Sequence, residues 1–167
     1  MADVVLVGLP GTGKTTAGRA LANAAGLSFV DGDDLFEQRE GVSVQEYLRA
    51  HPEPMFRERE VAALAAAVEE YGVVATGGGV VTSSGARAVL SEQPTVWLDC
   101  DDAVILSRIG GGDRPLLDGE PAQRLAQLRA ERAELYREVS RRRVDASRPL
   151  VEIVEELRGF VASGVGS

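Results

Sequence analysis

The 167-residue chain is long enough to bury one sizeable core, and its 44% apolar and 26% charged residues exclude a fibrous or disordered polymer. A net charge of −8, from 18 basic and 26 acidic residues, argues against a general binder of nucleic acid or anionic membrane. No apolar run has the length of a membrane span, "MADVVLVG" lacks a basic leader, and Cys100 is the sole cysteine, so a cytoplasmic protein without disulfides is expected.

In chain order, "VVLVG" from Val4 reads as an all-apolar strand of a sheet covered on both faces. A helix is expected from Lys14 to Ala25, stopped by Gly26. "LSFVD" is a second strand, closed by Asp31, Asp33 and Asp34. Short helices fit "LFEQRE" and "SVQEYLRAH"; Pro52 and Pro54 break the pattern. A long helix of strong helix formers fits "MFREREVAALAAAVEEYG". "VVATGGG" is a third strand ending in glycines, "SGARAVLSEQ" a helix, and "TVWLDC" a fourth strand. "DDAVILSRI" is a helix opened by aspartates, which suit its positive end. "GGGDRPLLDGEP" reads as a loop and "AQRLAQLRAERAELYREVSR" as a helix. "RRVDA" is a short fifth strand, "PLVEIVEELRGFV" a closing amphipathic helix, and "ASGVGS" a frayed end. Strands alternating with helices predict an α/β fold whose parallel sheet lies between helical layers. Such sheets take ligands at the carboxyl ends of their strands, here Gly8, Asp31 and Gly77.

Gly8 to Thr15 matches G-x-x-x-x-G-K-[ST] in full, between a strand and a helix. Glycines let backbone N–H groups converge on phosphate oxygens, and the following helix aims its positive end at the same point. Gly11, Thr12, Gly13, Lys14, Thr15 and Thr16 are therefore expected to hold a nucleoside triphosphate. Lys14 would reach the β- and γ-phosphates and Thr15 would bind Mg²⁺. The loop alone does not separate a kinase from an ATPase or GTPase, although no base-reading N-K-x-D is present.

"VDGDD" offers one carboxylate to support the metal and another to orient or deprotonate an acceptor hydroxyl. Asp31 and Asp33 are the functional candidates, and Asp34 reads as a helix N-cap. With no aspartate after the third strand, Asp31 is expected to supply the metal's outer carboxylate. Arg57 and Glu60 share a helix face, where a plain surface ion pair is the simpler reading. Three consecutive glycines, Gly77, Gly78 and Gly79, would let a substrate lie against backbone. Arg114 in the glycine-rich loop could close over a transferring phosphoryl or stay solvated. Arg132 could pair with a substrate carboxylate, though its spacing alone fits a solvated helix face better.

Together "GLPGTGKTT", "DGDDLFEQREG", "MFREREV", "TGGGVVT", "RPLL" and "RAELY" resemble the shikimate kinase family in order and near its spacing, over about residues 3–160. The resemblance implies a P-loop kinase fold like that of the nucleoside monophosphate kinases: a three-layer sandwich around a five-stranded parallel sheet. It implies one kinase domain over residues 1–167, with a substrate-binding subdomain at about 33–60 and a lid at about 110–121. It implies transfer of the ATP γ-phosphoryl to the 3-hydroxyl of shikimate, with Mg²⁺, in aromatic amino-acid biosynthesis. By motif match Asp33 would position or deprotonate the nucleophile. Arg57 and Arg132 would clamp the carboxylate, Glu60 would hold Arg57, and Gly78 would meet the substrate. Arg114 would cover the phosphates, while Arg108 and Arg148 would flank the adenine, near Pro149. A monomer is expected, with ATP and shikimate as its small-molecule partners and neither nucleic acid nor membrane. "DGD" also occurs in gluconate kinases, so another small-metabolite kinase is the rival enzyme. A non-catalytic ATP-binding regulatory domain is the rival of another class.

The remaining conspicuous residues invite structural readings. His51 reads as solvated, Cys100 as semi-buried and Trp97 as strand packing. Glu69 and Glu70 form a solvated helix end, and Arg141 to Arg143 lead from a helix into a strand.

Overall fold

The computed structural model describes residues 1–109 and 120–164. Strands β1 (Val4–Val7), β2 (Phe29–Asp31), β3 (Val73–Ala75), β4 (Thr95–Asp99) and β5 (Arg142–Asp145) form one parallel sheet, ordered β2-β3-β1-β4-β5. Around it lie α1 (Lys14–Ala25), α2 (Gly32–Glu40), α3 (Val44–Ala50), α4 (Glu53–Glu70), α5 (Ser84–Glu92), α6 (Asp102–Ile109), α7 (Pro121–Val139) and α8 (Leu150–Gly164). A 3₁₀ turn covers Val80–Thr82.

The all-apolar strands are apolar because helices cover both faces: every residue of β1, β3 and β4 is buried. Leu21 of α1, Leu90 of α5, Leu128 of α7 and Leu157 of α8 close the same core. This is the parallel α/β sandwich expected from the alternating pattern.

Local chemistry moves several element ends. α2 starts at Gly32, earlier than the apolar pattern of "LFEQRE" indicates, because Asp31 caps it. The Asp31 carboxylate accepts from the N–H groups of Asp33 at 2.9 Å and Asp34 at 3.3 Å. The cap is thus Asp31, and Asp34 sits in the first turn, contrary to the sequence reading. α4 begins at Glu53 with Pro52 as N-cap. Pro54 falls in its first turn, where a missing N–H has no intrahelical partner to lose, so it does not break the helix. α8 runs on to Gly164, through residues that read as a frayed end.

α2, α3 and α4 enclose a small aromatic core of their own. The Phe36 ring lies 5.3 Å from Tyr47 and 5.0 Å from Phe56, centroid to centroid. His51 stacks on Tyr47 at 4.0 Å and is half-buried, not solvated. Cys100 is fully buried, deeper than expected, because it continues the apolar run of β4 into the core.

Candidate active site

Leu6 and Asp31 both pair with Ala75. Gly8, Asp33 and Gly77, each two residues further on, therefore leave the sheet side by side. The register alone brings the phosphate loop, the acidic cluster and the triple glycine to one edge, as the strand ends predicted. They line a cleft of about 440 Å³ that also takes in Thr76, Arg108 and Arg148.

In the phosphate loop, Gly13 caps α1 with φ 89°, a left-handed conformation open to glycine. Gly11, Thr12, Thr15 and Thr16 line the cleft beside it. Lys14 is buried, and its ammonium donates to the carbonyls of Gly8 at 2.8 Å and Leu9 at 3.0 Å. The Thr15 hydroxyl donates to one oxygen of Asp31, whose other oxygen caps α2. Two hard oxygen groups thus meet at the end of the loop, a donor set that suits Mg²⁺, which keeps much of its water. Among the described residues no cluster of three or more acidic, histidine or cysteine side chains could replace them.

Asp33 opens onto the cleft, yet surrounding protein strips enough water from its carboxyl to push its pKa up to about 6. The charges of Asp31 and Glu60 add to the rise, and Lys14 opposes it. Glu60 is buried beneath it and its pKa is also raised by burial, against the pull of Arg57 and Arg132. The Arg57–Glu60 pair, at 2.8 Å, is therefore no surface ion pair: Glu60 is interior and Arg57 half-buried. Arg57 also reaches Glu53 at 3.2 Å and lies over the Phe56 ring, 5.1 Å from its centroid. Arg132, on α7, is half-buried rather than on a solvated face. The Nε–H groups of Arg57 and Arg132 are both buried without a hydrogen-bond partner among the described residues.

Protein atoms crowd each of the three glycines. A Cβ at Gly77 would lie 3.0 Å from an Asp33 carboxylate oxygen, at Gly78 2.8 Å from Pro10, and at Gly79 2.5 Å from the Arg57 guanidinium. Arg108 bridges the Thr12 carbonyl at 3.2 Å and the Ala146 carbonyl at 2.6 Å. Arg148 pairs with Glu156 and donates to the Asp145 carbonyl at 3.2 Å. Arg114, and most of the segment expected to form a lid, lie outside the described residues.

Sequence reasoning missed Thr76, Leu150 and Ile153 in the cleft wall. The hydroxyl of Thr76, which interrupts an apolar strand, donates to the Leu6 carbonyl at 2.9 Å. Leu150 and Ile153 are three apart on the amphipathic α8, a spacing that marks one face but not which ligand it covers.

The family model described as Shikimate kinase matches residues 10–162. A protein from Mycobacterium tuberculosis named Shikimate kinase is 44% identical over 147 residues, 86% of this chain and 84% of its own. The solved structure of a shikimate kinase from Acinetobacter baumannii in complex with shikimate is 31% identical, with a TM-score of 0.88 over 98% of this chain and 94% of its own. A gluconokinase from Sinorhizobium meliloti reaches a TM-score of 0.64 at 23% identity, with 97% of this chain and 92% of its own covered, a likeness of fold alone. On the family match and these identities, the chain belongs to the shikimate kinase family.

Proposed function

We propose that this enzyme transfers the γ-phosphoryl group of ATP to the 3-hydroxyl of shikimate, giving shikimate 3-phosphate and ADP. The observation that carries the acceptor assignment is the pair of buried guanidinium N–H groups, on Arg57 and Arg132, left without partners around the Glu60 carboxylate, which in turn acts on Asp33. A ring carboxylate would satisfy both and turn a hydroxyl toward Asp33.

Gly11 to Thr16 would cradle the triphosphate, and Lys14 would turn from its loop carbonyls to the β- and γ-phosphates. Thr15 and Asp31 would hold Mg²⁺, whose role is to neutralise charge on the β- and γ-oxygens. Asp33 takes the hydroxyl proton as the acceptor oxygen bonds to the γ-phosphorus. The bond from that phosphorus to the bridging oxygen breaks, and ADP leaves. Gly77, Gly78 and Gly79 line the acceptor's path, Arg108 and Arg148 flank the base, and Arg114 is the proposed cover for the transferring group. We read residues 1–167 as one kinase domain. The aromatic core under α2–α4 supports a substrate-binding subdomain at about 33–60; the proposed lid at about 110–121 falls mostly outside the described residues. We read the enzyme as a monomer, and a lone buried thiol suits the cytoplasm.

Phosphorus–proton coupling in the isolated product tests the regiochemistry. Coupling to the proton at carbon 3 is expected, and coupling only to another ring position would overturn the assignment.

A further inference from the structure

Tyr136 is the largest fully buried side chain among the described residues, yet its hydroxyl has a partner: it donates to the Gly78 carbonyl. Its ring stacks on Trp97 with centroids 5.9 Å apart. Gly78 is also confined by Pro10 of the phosphate loop, and Gly79 by the guanidinium of Arg57. The Gly78–Gly79 peptide is thus gripped by the phosphate loop, α4 and α7 together. Arg132 lies one turn before Tyr136 on α7, and its charge acts on the same phenol. Burial pushes that phenol up to about 12, so it stays a donor at neutral pH.

A peptide unit is planar and trans, so the Gly79 N–H points opposite to the Gly78 carbonyl. Pinning the carbonyl from the α7 side aims the N–H away from α7. We propose that Tyr136 is a positioning residue for the acceptor: its hydroxyl pins the Gly78 carbonyl and so presents the Gly79 N–H to shikimate beside Arg57. This inference rests on the acceptor reading above. It assigns to α7 two linked tasks, one arginine that binds and one tyrosine that orients the opposing backbone.

Steady-state kinetics of Tyr136→Phe test it, with a melting curve confirming that the variant is folded at the assay temperature. The KM for shikimate is expected to rise roughly tenfold, the scale of one lost hydrogen bond, while the KM for ATP moves less than about twofold. Trp97→Phe is the control for lost packing, since it trims the stacked ring while the Tyr136 hydroxyl keeps its bond to the Gly78 carbonyl, and it should leave the shikimate KM unchanged. A shikimate KM unchanged in Tyr136→Phe, or raised equally in Trp97→Phe, would overturn the proposal. If Tyr136→Phe does not fold, the unsubstituted enzyme labelled with 3-fluorotyrosine serves instead. Its three tyrosines are assigned through Tyr47→Phe and Tyr71→Phe. The Tyr136 fluorine resonance should move with shikimate and not with Mg-ATP; a resonance that stays put at saturating shikimate contradicts the proposal. A parent enzyme inert toward shikimate would sink the acceptor reading and this inference with it, whereas an active parent with an unaltered Tyr136→Phe sinks this inference alone.

Discussion

Asp33 and Arg57 carry opposite demands at the acceptor site. Asp33 is held at a pKa of about 6 by lost water and by the charges of Asp31 and Glu60, so its base form dominates only above that pH. We expect kcat/KM for shikimate to fall with decreasing pH through an apparent pKa near 6 in the free enzyme. A profile flat down to pH 5 would remove Asp33 as the base. The same shift has a stability sign. The folded chain holds this proton more tightly than the unfolded chain, so the contribution of Asp33 to stability falls as pH rises from 3.8 to about 6. Asp33→Asn should therefore lose about 10²- to 10⁴-fold in turnover while melting no lower than the parent at neutral pH. A matching loss of stability would point to a folding defect instead. Arg57→Ala should raise the shikimate KM by roughly tenfold or more, since it removes a charged hydrogen-bond donor, and leave the ATP KM nearly unchanged. Equal losses for both substrates would indicate damage to the fold. At this scale the sequence offered the right residue types, but spacing alone made Arg57–Glu60 and Arg132 look like solvated helix surface. Burial decided otherwise, and burial depends on partners far along the chain.

Elements were legible where one local rule governed them. All-apolar strands, the α1 stop at Gly26 and the triple-glycine break after β3 appear where composition places them. The N-terminus of α2 was misplaced because three nearby aspartates can all cap a helix, and only the register of β2 on β3 selects Asp31. The glycines show two kinds of constraint. A Cβ at Gly8 would meet the Leu98 backbone oxygen at 2.4 Å, which cannot step aside. A Cβ at Gly79 meets the end of the Arg57 side chain, which can. Gly8→Ala should accordingly destabilise the protein by roughly 1–3 kcal/mol or more, read by denaturant unfolding. Gly79→Ala should fold nearly as well as the parent yet bind shikimate poorly, through a displaced Arg57. A destabilised Gly79→Ala with normal shikimate affinity would contradict that distinction.

For the whole molecule, one register line across three strands converts separate motifs into a site. The sequence reading reached the sheet and the edge that binds ligand, because alternation of strand and helix dictates both. It could not reach the contacts between α7 and the triple glycine, since nothing local in "RAELY" says which loop it will face. ATP binding should stabilise the whole domain: at 100 times its Kd the gain is about 2.7 kcal/mol, a melting-point rise of roughly 5–10 °C for a chain this size. That rise alone would also fit a regulatory ATP-binding domain. The most direct measurement is ADP release from Mg-ATP against a panel of shikimate, quinate, gluconate, AMP and no acceptor. Strong turnover with shikimate alone is expected. Turnover with another acceptor in its place would contradict the carboxylate clamp of Arg57 and Arg132, and ATP binding without acceptor-dependent turnover would contradict the kinase assignment itself.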